Sequence, residues 1–114
     1  MTDDQVLRNL NSMEELDFRG FNAADWHGVF ARYHTDDVLV EVHGQPTTHG
    51  IEQHIEAVKG FVESVGGVLR IASHQIRFGA GEWTCVVGEL EGGNKMVTVA
   101  RWRDGAIAEE YIWV

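Results

Sequence analysis

Basic residues are scarce in this chain. Nine lysines and arginines face 18 acids, which leaves a net charge of −9. That sign repels phosphate backbones, and no Lys/Arg cluster interrupts it, so nucleic acid is not an expected partner. Cysteine occurs once. A single Cys85 excludes an internal disulfide framework and suits a reducing compartment, so a cytoplasmic location is expected. Mid-strand among apolar neighbours, it reads as a small buried hydrophobe rather than a nucleophile. Apolar runs are only a few residues long, so no membrane partner is expected. The opening residues, MTDDQVLRN, carry neither the basic nor the apolar segment of a secretory leader. Proline occurs once against 13 glycines, a balance that suits hairpins. There is no Gly-rich phosphate loop and no Ser/His/Asp ordering, and no cofactor is expected.

What remains is enough for a core. Hydrophobic residues make up 44% of 114 positions, consistent with one domain over residues 1–114. Residues 1–11 are expected to form a loosely attached N-terminal segment. No repeat or linker interrupts the chain.

The hydrophobic period changes once, near the middle. Val6, Leu7, Leu10, Met13 and Leu16 follow helical spacing over 4–16. Ser12 and Glu15 also form a possible capping box, so this region reads either as one helix or as two pieces. Asn22 is a suitable N-cap for a helix in which Trp26, Val29, Phe30 and Tyr33 share a face, ending near Thr35. VLVEVHG (38–44) is a strand, followed by a turn at QPTTHG. From Gly50 onward, Ile51, Ile55, Val58, Phe61, Val62 and Val65 mark another helix, closed by Gly66-Gly67. From Val68 the period is two. VLRIASHQIRF, EWTCVVGELEG, KMVTVARWR and AIAEEYIWV read as four strands, and Asp104-Gly105 is a strong hairpin signal. The expected class is α+β, with a helical lid over a strongly curved mixed or antiparallel sheet. Such a roofed, concave sheet encloses a pocket.

Three segments carry a resemblance: FNAADWHGVFARYHTDDVLVEVHG, HGIEQHIEAV and ARWRDGAIAEEYIWV. Together they resemble the SnoaL-like polyketide cyclases, within the nuclear transport factor 2-like superfamily that also holds ketosteroid isomerase. The likeness runs from Ser12 to Val114. It implies a cystatin-like cone, a homodimer formed through the outer face of the sheet, and a small hydrophobic or aromatic ligand. It also implies cofactor-free acid–base chemistry next to a carbonyl, of the cyclase or isomerase kind. The base of ketosteroid isomerase falls at Val42, and that of the cyclases at Thr98. Neither side chain can take a proton.

Other residues could supply the chemistry. Alternation sets Val38, Val40 and Val42 on one face of the first strand and Glu41 and His43 on the other. His43 is a candidate base if a bulge near Gly44 brings it to the pocket rim. The catalytic candidates are therefore His43 and Thr98. The expected pocket residues are Trp26, Phe30, Tyr33, Val42, Ile55, Trp102, Tyr111 and Trp113. Asp36 and Asp37 read as helix-to-strand punctuation. His43, His49 and His54 are spaced by six and five, unlike a helical metal pair, and no metal is expected. A non-catalytic ligand-binding or dimerisation module on the same scaffold is the alternative reading.

Overall fold

The change of period divides lid from sheet in the computed structural model, which describes residues 3–67 and 69–114. Helix α1 (Asp4–Glu15) starts at Asp3, whose side chain accepts from the Gln5 amide at 2.7 Å. Its apolar stripe buries Val6, Leu10 and Met13. The helix is continuous, so the Ser12–Glu15 box is not formed. The Glu15 carboxylate accepts instead from the Tyr33 hydroxyl at 2.8 Å.

Beyond Glu15 the helix widens. Over Leu16–Phe21 and again over Trp26–Phe30 the turns are π-helical. Amide-to-carbonyl bonds span five residues: Asn22 to Asp17 (3.0 Å), Asp25 to Gly20 (2.9 Å) and Phe30 to Asp25 (3.0 Å). Asn22, expected as an N-cap, is instead the C-cap of the first wide helix, with φ −63 and ψ −30. Its side-chain amide donates to the Ile71 carbonyl (2.7 Å), and its oxygen accepts from the Ile71 amide (2.9 Å). It therefore ties the lid to a strand. Asp25 is the cap, accepting from the Val29 amide at 3.1 Å.

The lid also ends sooner than Thr35. Strand β1 (His34–Val42) begins as soon as the backbone can pair with the last strand, the Ile107 amide donating to the Tyr33 carbonyl at 2.7 Å. Asp36 and Asp37 thus lie within β1, beside a register shift. β2 (Thr48–His49) is a short edge strand, and α2 (Ile51–Ser64) follows. The rest is a meander: β3 (Ile71–Ala80), β4 (Trp83–Leu90), β5 (Lys95–Arg103) and β6 (Ala106–Trp113). Val68, where the strand pattern begins in sequence, lies outside the described residues. Asp104 and Gly105 both take positive φ (53 and 82), as a tight β5–β6 turn demands.

The sheet order is β2-β1-β6-β5-β4-β3. β1 runs parallel to β6 and the other pairs are antiparallel, so the sheet is mixed. Register shifts in the β3–β4, β5–β6 and β1–β6 pairs are the kind of bulge that bends a sheet. α1 packs on β3 and β4, and α2 on β1 and β2. Val38, Val40, Val86, Ala100, Trp102 and Ile107 form the sheet side of the core. The Trp102 indole N–H donates to the Thr84 hydroxyl at 2.9 Å.

The opposite face carries two apolar rows across the strands. Phe78, Cys85, Val99 and Tyr111 pair in one, and Ile76, Val87, Val97 and Trp113 fall in the next. Phe78 is 58% exposed, Ile76 54% and Trp113 45%. No described helix is long and apolar enough to cross a membrane.

Gly20 is where the wide turns press together. A Cβ there would lie 2.9 Å from the Phe30 amide nitrogen, which is backbone and cannot swing aside. Gly20→Ala is expected to destabilise the fold by about 1–3 kcal/mol in denaturant unfolding. Gly60→Ala, in α2 with open space around it, is expected to be neutral or to stabilise by up to about 1 kcal/mol.

Candidate functional site

Between the lid and the inner sheet face lies a cavity of about 550 Å³. The π-helical turns contribute Leu16, Phe21 and Phe30, α2 contributes Val58 and Phe61, and the sheet contributes Val40, Val42 and Ile112. Asp17, His54, Glu110 and Thr98 also line this apolar surround.

Glu110 comes from β6, where strand alternation turns Ala108, Glu110 and Ile112 to the inner side. Only 4% of it is exposed. Its Oε1 lies 3.1 Å from Nε2 of His34 and 3.2 Å from Nε2 of His54. Nδ1 of His34 lies 2.8 Å from the Phe30 carbonyl. A carbonyl oxygen only accepts, so this nitrogen carries a proton. Burial pushes the Glu110 carboxyl upward, but the two imidazoles more than offset it and hold it well below the usual carboxylate range. For His54, burial lowers the imidazole below its ordinary 6.5, and the attraction of Glu110 only partly opposes this. The arrangement is therefore an ionised carboxylate held between two imidazoles, with His54 biased toward its neutral form.

Asp17 comes from the first wide turn and continues the α1 stripe, Val6, Leu10, Met13, Asp17. Its Oδ2 lies 2.7 Å from Nε2 of His74 on β3, and both side chains are nearly inaccessible. The His74 ring packs on Phe18, centroids 4.8 Å apart. Nδ1 of His74 is buried without a hydrogen-bond partner among the described residues. Burial raises the Asp17 carboxyl above its ordinary 3.8. The hydrogen bond and charge of His74 pull it down less strongly, and the Glu110 charge adds to the rise. Two carboxyl groups with opposite perturbations thus share one cavity.

The residues expected from sequence are distributed around this site. Phe30, Val42 and Thr98 line the cavity. Ile55 and Trp102 are fully buried in the adjoining core. Trp26 and Tyr33 pack against that core from the lid. His43, Tyr111 and Trp113 border a separate, shallower hollow of about 250 Å³ with Glu41, and they are not in the lining of the larger cavity. His49 lies on the exposed edge strand, its amide donating to Gln53 at 2.9 Å.

Sequence reasoning did not single out Asp17, His34, His74 or Glu110, and it met His54 only as a spaced histidine. A signal was there. Asp17 sits at helical spacing on an apolar stripe, His34 follows Phe30 by four, and His54 stands between Ile51 and Val58 at spacings of three and four. Glu110 is the charged residue on the alternating face that holds Ala108 and Ile112. Each is a titratable group on a face that otherwise packs inward.

By sequence, no family model matches the chain, and neither does any curated protein. By structure, it is similar to a candidate SnoaL-like polyketide cyclase from Jannaschia, with TM-score 0.84, 19% identity, and 98% of this chain and 88% of that one covered. It is also similar to a nuclear transport factor 2-like protein from Anabaena variabilis, with TM-score 0.77, 16% identity and coverage of 98% and 92%. A third similar structure is TerC, co-crystallised with polyporic acid, with TM-score 0.74, 20% identity and coverage of 92% and 89%. The chain therefore has the nuclear transport factor 2-like fold, in the form shared by SnoaL-like proteins.

Proposed function

We propose that the cavity binds a small, largely apolar carbonyl compound and that Asp17 moves a proton at the carbon beside the carbonyl. The observation that carries this reading is the pair of carboxyls pushed apart in one apolar cavity, Asp17 upward and Glu110 downward. Such divergence separates proton-transfer groups from fixed charges. A carboxyl raised toward neutrality is a stronger base when ionised and a usable acid when not. His74 fixes its orientation. The Thr98 hydroxyl donates to the substrate carbonyl oxygen as charge develops there. Asp17 takes the proton from carbon. It returns that proton to a second carbon in an isomerisation, or to the oxygen of the attacked carbonyl once the new carbon–carbon bond forms in a ring closure. The names of the similar structures, a cyclase candidate and a protein crystallised with polyporic acid, support a ligand of this class.

The non-catalytic module shares the cavity and differs in one respect: its ligand is held without turnover. A thermal-shift screen with polycyclic ketones and aromatic acids finds the ligand under either reading. Asp17→Asn then separates them, because asparagine keeps the size and a hydrogen bond to His74. Turnover is expected to fall by at least about a hundredfold while ligand-induced stabilisation persists. Ligands that stabilise the wild type but are recovered unchanged support the module. His43→Ala is expected to leave both readouts unaltered.

The same variant has a pH signature. A carboxyl whose folded value is raised above 3.8 contributes its stability below that pH, and the contribution is lost as pH rises through the folded value. Asp17→Asn is therefore expected to gain stability relative to wild type as pH rises above 3.8 in urea unfolding. An unchanged difference would remove Asp17 as a group held toward neutrality.

We further infer a homodimer through the outer face. Its two cross-strand apolar rows are exposed at Ile76, Phe78 and Trp113 and half-buried between them, and a two-fold axis would lay each row against its own copy. Val99→Glu, at the middle of one row, is expected to shift the light-scattering mass from twice 12.8 kDa to 12.8 kDa. A wild-type mass of 12.8 kDa would overturn the dimer.

A further inference from the structure

We propose that His34, His54 and Glu110 form a site for one divalent transition-metal ion, zinc being the probe. This goes beyond the role given to Asp17 and does not depend on it.

The three side chains come from β1, α2 and β6, and all are buried. Their ligating atoms lie within 4.8 Å of one another. Two edges of the triangle are known: His34 Nε2 to Glu110 Oε1 at 3.1 Å, and His54 Nε2 to the same oxygen at 3.2 Å. An ion about 2.1 Å from nitrogen and oxygen ligands sets neighbouring ligands about 3.0–3.4 Å apart in octahedral or tetrahedral order. Both edges fall in that range.

The surroundings prepare His34 for such a role. Its Nδ1–H donates to the Phe30 carbonyl at 2.8 Å. That bond leaves the Nε2 lone pair of the neutral ring aimed at the cluster, the tautomer that a backbone carbonyl commonly imposes on a metal-bound histidine. The ring is also braced by Phe30, centroids 4.7 Å apart, and by the edge of His54 at 5.0 Å.

Charge gives the second argument. A buried carboxylate lies against two imidazole nitrogens. A divalent cation held by all three would compensate its charge, with both imidazoles acting as neutral ligands. Two imidazoles and one carboxylate suit zinc, iron(II), cobalt or nickel rather than calcium or magnesium. His54 and Glu110 border the cavity, so a remaining coordination position would face a bound ligand and could polarise its carbonyl oxygen.

The test needs no substrate. Chelator-stripped full-length protein is titrated with zinc by calorimetry and thermal shift, and with cobalt(II) by visible absorption. One equivalent of zinc, a raised melting temperature, and cobalt bands of a mixed nitrogen–oxygen site are expected. His34→Gln and His54→Gln are each expected to weaken zinc binding by more than about tenfold. His43→Ala and His49→Ala, outside the cluster, are expected to bind as wild type does. A wild type with no zinc heat, no thermal shift and no cobalt bands overturns the site, as does binding undiminished in both glutamine variants. The cobalt spectrum decides on the wild type alone if those variants do not fold. None of these readouts involves Asp17, so failure here is distinguishable from failure of the acid–base reading.

Discussion

Glu110 is the constraint around which the rest is arranged. A carboxylate inside an apolar cone is strongly unfavourable by itself. It persists because His34 from β1 and His54 from α2 converge on one of its oxygens, at 3.1 and 3.2 Å. Those contacts join the parallel β1–β6 pair to the helix that roofs it. The position of α2 on the sheet is therefore specified by polar geometry as well as by burial of Ile55. Removal of one partner from such a cluster leaves a buried charge uncompensated, at a cost of about 3–5 kcal/mol. The cavity exists because this contact holds two sides of the cone together while apolar side chains line the space between.

The strands were largely legible in the sequence because a period of two leaves little freedom once one face must be buried. β5 runs over the residues its alternation implies, and Asp104-Gly105 takes the turn its residues favour. The α+β class and the one-sided helical lid follow from that pattern. The lid was less legible. Helical spacing was plain in Trp26 and Phe30, but turns that close over five residues leave no separate mark in a pattern built on 3.6. Asn22 shows the difficulty. Its chemistry suits a cap, yet its amide group satisfies the backbone of Ile71, 49 residues away. A local rule cannot see such a partner.

The site was hidden for a related reason. The resemblance to SnoaL-like cyclases and ketosteroid isomerase points to Val42 and Thr98, positions that do border the cavity but cannot hold a titratable proton at neutral pH. The ionisable groups enter from elsewhere, Asp17 from the lid and Glu110 from the closing strand. The same cone can be furnished from different walls, because any inward position on lid or sheet reaches one small interior. Alternation was readable on β6, but which of its two faces met the lid was not, and the expectation fell on the face of Tyr111 and Trp113 rather than that of Glu110.

The wide turns between α1 and β1 amount to slack wound into the lid. Each holds one residue more than a tight coil needs. Deletion of a single residue there would restore the ordinary pitch and rotate the chain before it by about 100° relative to the sheet. Asp17 would swing off the inner wall while the strands, pinned by their ladders, stayed in place. The acid from β6 has no such freedom, since a one-residue slip would turn the whole strand inside out. Of its two carboxyls, this scaffold can relocate one by small insertions and deletions and must keep the other where the pleat has fixed it.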